Sequence, residues 1–256
     1  MAVIQTQNVA KQYNGQYVLK GISLTIEPGQ IIGYIGPNGA GKSTTIKILS
    51  GILDEFEGEA SVLGMDVRKQ ALDIKQYIGY IPENAALYEV LTPMEYLRFA
   101  GRLYGMGEND ILHKSTELLR LFKLSENAEQ RMNGFSKGMK QKVLLISGLM
   151  HNPQIIFLDE PLSGLDANAV ILVKEILLQL KQSGKTIFYS SHIMDVVEKL
   201  SDRIIIINQG EIIADGSFED LRKLGDTGSL EKIFTSLTGS TGHGSTAGEF
   251  IDILSH

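Results

Sequence analysis

Short, nearly continuous apolar runs separated by helical periodicity dominate the chain after an alternating start. Gly21 to Glu27 (GISLTIE) alternates as a half-buried strand does, Pro28-Gly29 turns the chain, and the apolar run IIGYIG follows as a second strand. This opening predicts an antiparallel N-terminal β-subdomain. From Ile31 onward the runs Ile31 to Ile35, Tyr77 to Ile81, Ile155 to Leu158 and Thr186 to Ser190 lose the alternation. Strands apolar on both faces are covered on both faces, which predicts an α/β fold with a mainly parallel sheet and helices on each side. Between Glu83 and Phe135 the texture is helical. Its first helix is signalled by Thr92 as cap, Pro93 at the first helical position and Glu95 completing a capping box. Residues 84–152 therefore read as a helical subdomain inserted into the sheet domain. After Ser201, DRIIIINQGEIIADG holds two apolar runs about a Gln-Gly turn, a hairpin signal, and SFED and SLEKIFTSLTG predict two short helices. The folded domain is expected over 1–238. The tail 239–256, rich in Gly, Ser and Thr at its start, has little to bury and is expected to be flexible.

One helix start carries an unexpected charge. In GFSKGMKQKVLLISGLM, Ser136 suits the N-cap, yet Lys137, Lys140 and Lys142 crowd the end where the macrodipole is already positive. No acidic residue lies beside them in sequence, so this start predicts an anion brought from elsewhere, with Lys140 and Lys142 facing solvent or a partner.

Composition narrows the classes. The 256 residues carry 24 Lys+Arg against 30 Asp+Glu, a formal net charge of −6, which gives no basic footprint for sequence-independent nucleic-acid binding. The absence of cysteine excludes disulfides and thiolate metal sites and suits a reducing compartment. The start MAVIQTQN has no cationic segment ahead of an apolar one, and no apolar run approaches the roughly 20 residues that span a bilayer. The expectation is a cytoplasmic chain whose membrane role, if any, comes through a partner.

Three segments carry chemistry. GPNGAGKST, residues 36–44, fits Gly-x-x-x-x-Gly-Lys-[Ser/Thr] between a buried strand and a helix, the context of a phosphate-binding P-loop. Backbone N–H groups can curl around a diphosphate, Lys42 can reach the outer phosphates, and the Ser43 hydroxyl can ligate magnesium. IIFLDE, residues 155–160, buries a strand and delivers Asp159 and Glu160 at its C-terminal end, the edge where open α/β sheets bind ligands. Asp159 would hold magnesium and Glu160 would polarise an attacking water, although Asp-Glu-Pro taken alone equally suits a chain turn. TIFYSSH, residues 186–192, ends a third buried strand in hydroxyls and His192; a lone histidine there is ordinarily a cap neighbour, but its place beside the other two strand ends favours a functional group.

With these segments in view, the chain from about Val3 to Thr238 resembles the nucleotide-binding subunit of an ATP-binding cassette transporter. The resemblance implies a P-loop NTPase core that binds ATP and magnesium and hydrolyses ATP. It implies adenine stacking on Tyr13 and phosphate contacts from Gly36, Pro37, Asn38, Gly39, Ala40, Gly41, Lys42, Ser43 and Thr44. It further implies magnesium coordination involving Ser43, Asp159 and Glu83, catalysis by Glu160, His192 and Lys42, and contact between two cassettes through SGLD, residues 163–166. FSKGM occupies the family signature position, which implies that Ser136, Lys137, Gly138 and Met139 meet the nucleotide of a second cassette. Two positions depart from the family pattern: the signature is Leu-Ser-Gly-Gly-Gln in most members, and YIPEN has Glu83 where a glutamine usually bridges magnesium and the membrane partner's coupling helix. These departures, with ALYEVLTPMEYL, are similar to the class serving exporters of drugs, antibiotics, sodium, polysaccharides or lipids. The implied partners are integral-membrane transporter subunits and a second ATPase subunit, placing the chain at the inner face of the cell membrane, with Tyr88 and its neighbours as contact residues. A soluble cassette ATPase of translation or DNA repair and a non-hydrolysing regulatory module are the competing readings.

Overall fold

The computed structural model describes residues 1–83, 87–224, 228–239 and 253–254. The N-terminal alternation produces two long strands, β1 (Ile4–Tyr13) and β2 (Gln16–Ile26), paired antiparallel, with β4 (Glu57–Val62) on the other side of β1 and the short β5 (Met65–Asp66) beyond it. The four-stranded order is β2-β1-β4-β5. The unbroken apolar runs form a second sheet. It contains β3 (Ile31–Ile35), β6 (Ile78–Ile81), β7 (Ile155–Asp159), β8 (Thr186–Ser190), β9 (Arg203–Asn208) and β10 (Glu211–Gly216), in the order β10-β9-β3-β8-β7-β6. Pairing is parallel from β9 through β6; only the β9–β10 hairpin is antiparallel. Its turn places Gln209 and Gly210 both at positive φ, as the Gln-Gly signal requires.

Every residue of β3, β7 and β8 is buried, and successive residues face different cores. Ile31, Ile35, Ile156, Leu158, Ile187 and Tyr189 pack on the helical side, with α5 (Lys137–Leu149), α6 (Ala167–Gln182) and α7 (Met194–Leu200). Ile32, Tyr34, Ile155, Phe157 and Phe188 pack on the opposite side against α1 (Lys42–Leu49), α2 (Ala71–Tyr77) and residues of β1, β2 and β4. Helices thus lie on each face, as the apolar runs predict, and on the second face the antiparallel sheet joins them. Rings fill the space there, with Tyr34 and Phe188 centroids 5.0 Å apart and Phe157 and Phe188 6.0 Å apart.

Between β6 and β7 the described residues contain α3 (Pro93–Leu103), α4 (Glu108–Leu121), two single 3-10 turns and α5, and no strand. The capping box is formed: Glu95 N donates to Thr92 Oγ1 at 3.2 Å and Thr92 N donates to Glu95 Oε2 at 2.9 Å. Tyr77 belongs to the end of α2 rather than to the strand, which begins at Ile78 where the backbone becomes extended. The two late helices are α8 (Phe218–Leu224) and α9 (Leu230–Thr238). The tail expectation for 239–256 falls outside the described residues except at 239 and 253–254.

Candidate functional site

The sheet order sets β3, β8 and β7 side by side, so the loops leaving their C-terminal ends converge. They frame a cleft of about 590 Å³ lined by Val18, Asn38, Gly39, Gly41, Lys42, Ser43, Thr44, Glu83, Asp159, Glu160 and His192. Three segments separated widely in sequence thus meet in one place.

The loop from β3 enters α1 through Gly41, whose φ of 109° is unavailable to other residues without strain and whose added Cβ would stand 2.4 Å from Leu19 Cδ2. No side chain caps this helix and no acidic residue lies in its first turn, which leaves the helix start open to an anion. Lys42 Nζ donates to Gly36 O at 2.7 Å and Pro37 O at 3.1 Å, so Gly36 and Pro37 hold the ammonium with their carbonyls. Burial lowers the Lys42 pKa from its ordinary value, opposed by the carboxylates of Glu160, Asp159 and Glu83. Such a half-desolvated cation is primed for phosphate oxygens. Ala40 is buried, with its carbonyl accepting from Gly210 N at 3.2 Å. Thr45, outside the residues read from sequence, braces the helix start from within: its hydroxyl donates to Gly41 O at 3.0 Å and lies 3.1 Å from Tyr34 Oη.

At the end of β7 the two carboxylates take different environments. Asp159 is buried, and its Oδ1 accepts from Ser190 Oγ at 2.6 Å. The register that pairs Asp159 with Ser190 places that hydroxyl there. Glu160 adopts φ 49°, a left-handed backbone unusual for a residue with a Cβ and of the kind that concentrates at functional sites. Its N–H donates to Ser190 O and to Ser190 Oγ, each at 3.2 Å. Its Oε2 lies 2.8 Å from His192 Nδ1 and accepts from His192 N at 3.3 Å. The Glu160 side chain is 12% exposed and that of His192 is 70% exposed, so the imidazole covers the carboxylate from the solvent side. A carboxylate aimed into a cleft and held by an imidazole can orient and deprotonate water beside a phosphate.

Among the described residues no group of three or more His, Asp or Glu side chains is arranged to cage a metal. Magnesium rarely uses such a cage; one or two protein oxygens plus substrate phosphates suffice. The Ser43 hydroxyl and the Asp159 and Glu83 carboxylates, all on the cleft wall, fit that donor chemistry.

Two expected elements stand outside the cleft wall. Tyr13 ends β1, 45% exposed, with Lys11 Nζ 5.1 Å from its ring centroid. Ser136, Lys137, Gly138 and Met139 open α5: Ser136 Oγ accepts from Met139 N at 3.2 Å, an N-cap formed as the sequence signals. The crowded lysines find partners from distant segments at the surface. Lys137 Nζ donates to Ser163 Oγ at 2.8 Å, Lys140 Nζ lies 2.6 Å from Glu89 Oε1, and Lys142 Nζ lies 3.2 Å from Asp166 Oδ2. Tyr88 is exposed and packs edge-on against Phe99, centroids 5.7 Å apart.

Residues 19–163 match the ABC transporter family model. The chain is 40% identical over 227 residues to the linearmycin resistance ATP-binding protein LnrL of Bacillus subtilis (strain 168), covering 88% of this chain and 73% of that protein. Its fold matches the ATP-binding subunit of an ABC transporter with a TM-score of 0.86 at 33% identity, over 92% of this chain and 99% of the other. A dimeric ATP-binding cassette in a post-hydrolysis state, bound to ADP and Pi, matches with a TM-score of 0.78 at 26% identity, over 84% of this chain and 98% of that one.

Proposed function

The chain belongs to the ABC transporter family of ATP-binding proteins, and on that premise we propose that two such subunits close on ATP to drive transport, in the export direction, through separate membrane subunits. The single observation that carries the catalytic assignment is the convergence of Lys42, Asp159, Glu160 and His192 on one cleft. Lys42 and the N–H groups of residues 38–44 would hold the phosphates, with Gly36 and Pro37 releasing the ammonium. Glu160 would take the proton of the attacking water, and His192 would fix that carboxylate and meet the terminal phosphate. Ser43, Asp159 and Glu83 are the residues suited to hold magnesium, which when bound neutralises phosphate charge. Tyr13 ends the strand paired with β2, which supplies Val18 to the cleft, and that proximity supports stacking on the base. Because the start of α5 lies outside the cleft of its own subunit, Ser136 and the N–H groups of Lys137 and Gly138 are available to the nucleotide of a second copy. The dimeric cassette with ADP and Pi supports that arrangement, and a Nod factor export ATP-binding protein of Burkholderia lata, 36% identical over 217 residues, supports export.

Membrane subunits require a docking surface, since among the described residues no helix is long and apolar enough to cross a membrane. A second, mostly apolar groove of about 650 Å³ runs between α2, β6 and α3, lined by Ile52, Leu72, Tyr80, Phe99 and Leu103 among others. Leu72 and Leu103 are 79% and 71% exposed. The groove fits an apolar helix end of a membrane subunit, holding the chain at the inner face of the cell membrane. Pro82 lines this groove while its neighbour Glu83 lines the cleft, which gives docking and nucleotide state a two-residue connection.

The test is Glu160→Gln. The variant is expected to bind ATP, lose turnover, and sediment as a dimer with ATP and magnesium. A monomer at high protein concentration under those conditions overturns the reading.

A further inference from the structure

The first turns of α5 are fastened to the loop that follows Glu160. Lys137 Nζ donates to Ser163 Oγ at 2.8 Å, Gln141 donates from a buried position to Pro161 O at 3.2 Å, and Lys142 pairs with Asp166. The backbones touch: a Cβ on Gly138 would stand 2.6 Å from Gly164 O. Gly164 has φ 78°, and a Cβ there would meet the Lys137 methylenes at 2.9 Å, so the lysine stem lies across the loop. The loop is tied back in turn, because Ser163 N donates to Glu160 O at 3.2 Å and Glu160 N is held by Ser190.

We propose that Lys137 is a positioning residue that holds this chain's own Glu160 in register through Ser163, tying the α5 start to the loop that carries the base. The inference rests on the reading of Glu160 as general base. It gives the ammonium a role within its own subunit, where the resemblance alone points it at the nucleotide of the other copy. The backbone contact at Gly138 and the buried Gln141 keep helix and loop together, while the exposed Lys137–Ser163 bond sets the angle between them. A shift of the α5 start on meeting the other copy's nucleotide is thereby transmitted to Glu160, which couples the two hydrolytic sites.

The test measures steady-state ATPase kinetics of Lys137→Met, Ser163→Ala, the double variant and Lys137→Arg in the full chain assembled with its membrane subunits. Each single variant is expected to lower kcat about ten-fold through looser alignment of the base, with KM within roughly two-fold of the parent. The double variant should be no slower than either single one, and Lys137→Arg should recover most of the rate. Thermal midpoints close to that of the parent confirm that the folds are intact. Three results overturn the proposal: a normal Ser163→Ala beside an impaired Lys137→Met, effects that multiply in the double variant, or a raised KM with kcat unchanged. The first and third assign the ammonium to the other copy's phosphate. Failure of the general-base reading is separately visible, since Glu160→Gln would then keep its turnover.

Discussion

Ser190→Ala isolates one short bond that holds the acidic end of β7. The Ser190 hydroxyl is fully buried and donates to Asp159 Oδ1 at 2.6 Å, inside the range of a charge-assisted O–H···O⁻ bond. Removing the donor leaves a carboxylate that is 4% exposed without that partner. A hydrogen bond to a charged group contributes about 1.5–3 kcal/mol. The second function of the hydroxyl, accepting from Glu160 N, is shared with the Ser190 carbonyl at the same 3.2 Å, so its loss adds little. The expected cost is therefore about 2–3 kcal/mol, and at about 2–4 °C per kcal/mol for a domain of this size the midpoint should fall by about 5–10 °C. Differential scanning calorimetry without nucleotide provides the measurement. The same substitution made in an Asp159→Asn background should cost only about 1 kcal/mol, because the charge that strengthens the bond is gone. A melting point within about 1 °C of the parent, or an undiminished cost in the Asn background, would refute the claim that the bond is both strong and charge-dependent.

Two further outcomes follow from the same geometry. Lys42→Ala removes the ammonium now held by Gly36 O and Pro37 O and should weaken ATP binding by about 3 kcal/mol, roughly a hundred-fold, the upper range of a charge-assisted bond to phosphate; unchanged affinity by calorimetry contradicts the phosphate-loop assignment. His151 stacks on Tyr104 with centroids 3.6 Å apart, and its Nε2 lies 2.9 Å from Ile78 O. Its Nδ1 is buried with no hydrogen-bond partner among the described residues. Burial first, then Lys114 and Lys185, lowers its pKa from the ordinary 6.5, against the opposing effect of the Ile78 carbonyl. Between the depressed folded value and 6.5 the unfolded chain binds more protons, so stability should rise with pH through that window. His151→Phe should flatten the rise in melting temperature on the acid side of pH 6.5, and an equally steep profile in the variant excludes His151 as its source.

The parts of this fold legible in the sequence are those set by local pattern. The continuous apolar runs of β3, β7 and β8, the Thr92 capping box and the Gln209-Gly210 turn each depend on neighbouring residues, and each forms where the pattern places it. The convergence of Gly36–Thr44, Asp159-Glu160 and His192 was readable because a parallel sheet delivers its strand ends to one edge. What covers a strand is not written in it: apolar side chains on β3 and β8 pack equally well on a sheet or on helices, so the antiparallel cover was invisible. The same holds for long-range polar partners. Lys140 with Glu89, Lys142 with Asp166 and Ser190 with Asp159 depend on how distant segments meet. Tyr77 sat in an apolar run too short to separate a helix end from a strand start.

The placement of β3 also bears on how the protein is made. Its two neighbours in the sheet, β8 and β9, come from much later in the chain, so β3 is synthesised well before either partner. Until those later strands are synthesised, β3 has two unpaired edges, and the Ile31/Ile35 face awaits the helices of the later chain, the profile of a segment that invites chaperones or misassociation. The phosphate loop that β3 launches has no fixed base during that interval. A chain broken off before β8 should therefore associate through the edges of β3 and bind nucleotide poorly, because the loop that β3 launches then lacks the strands that fix it.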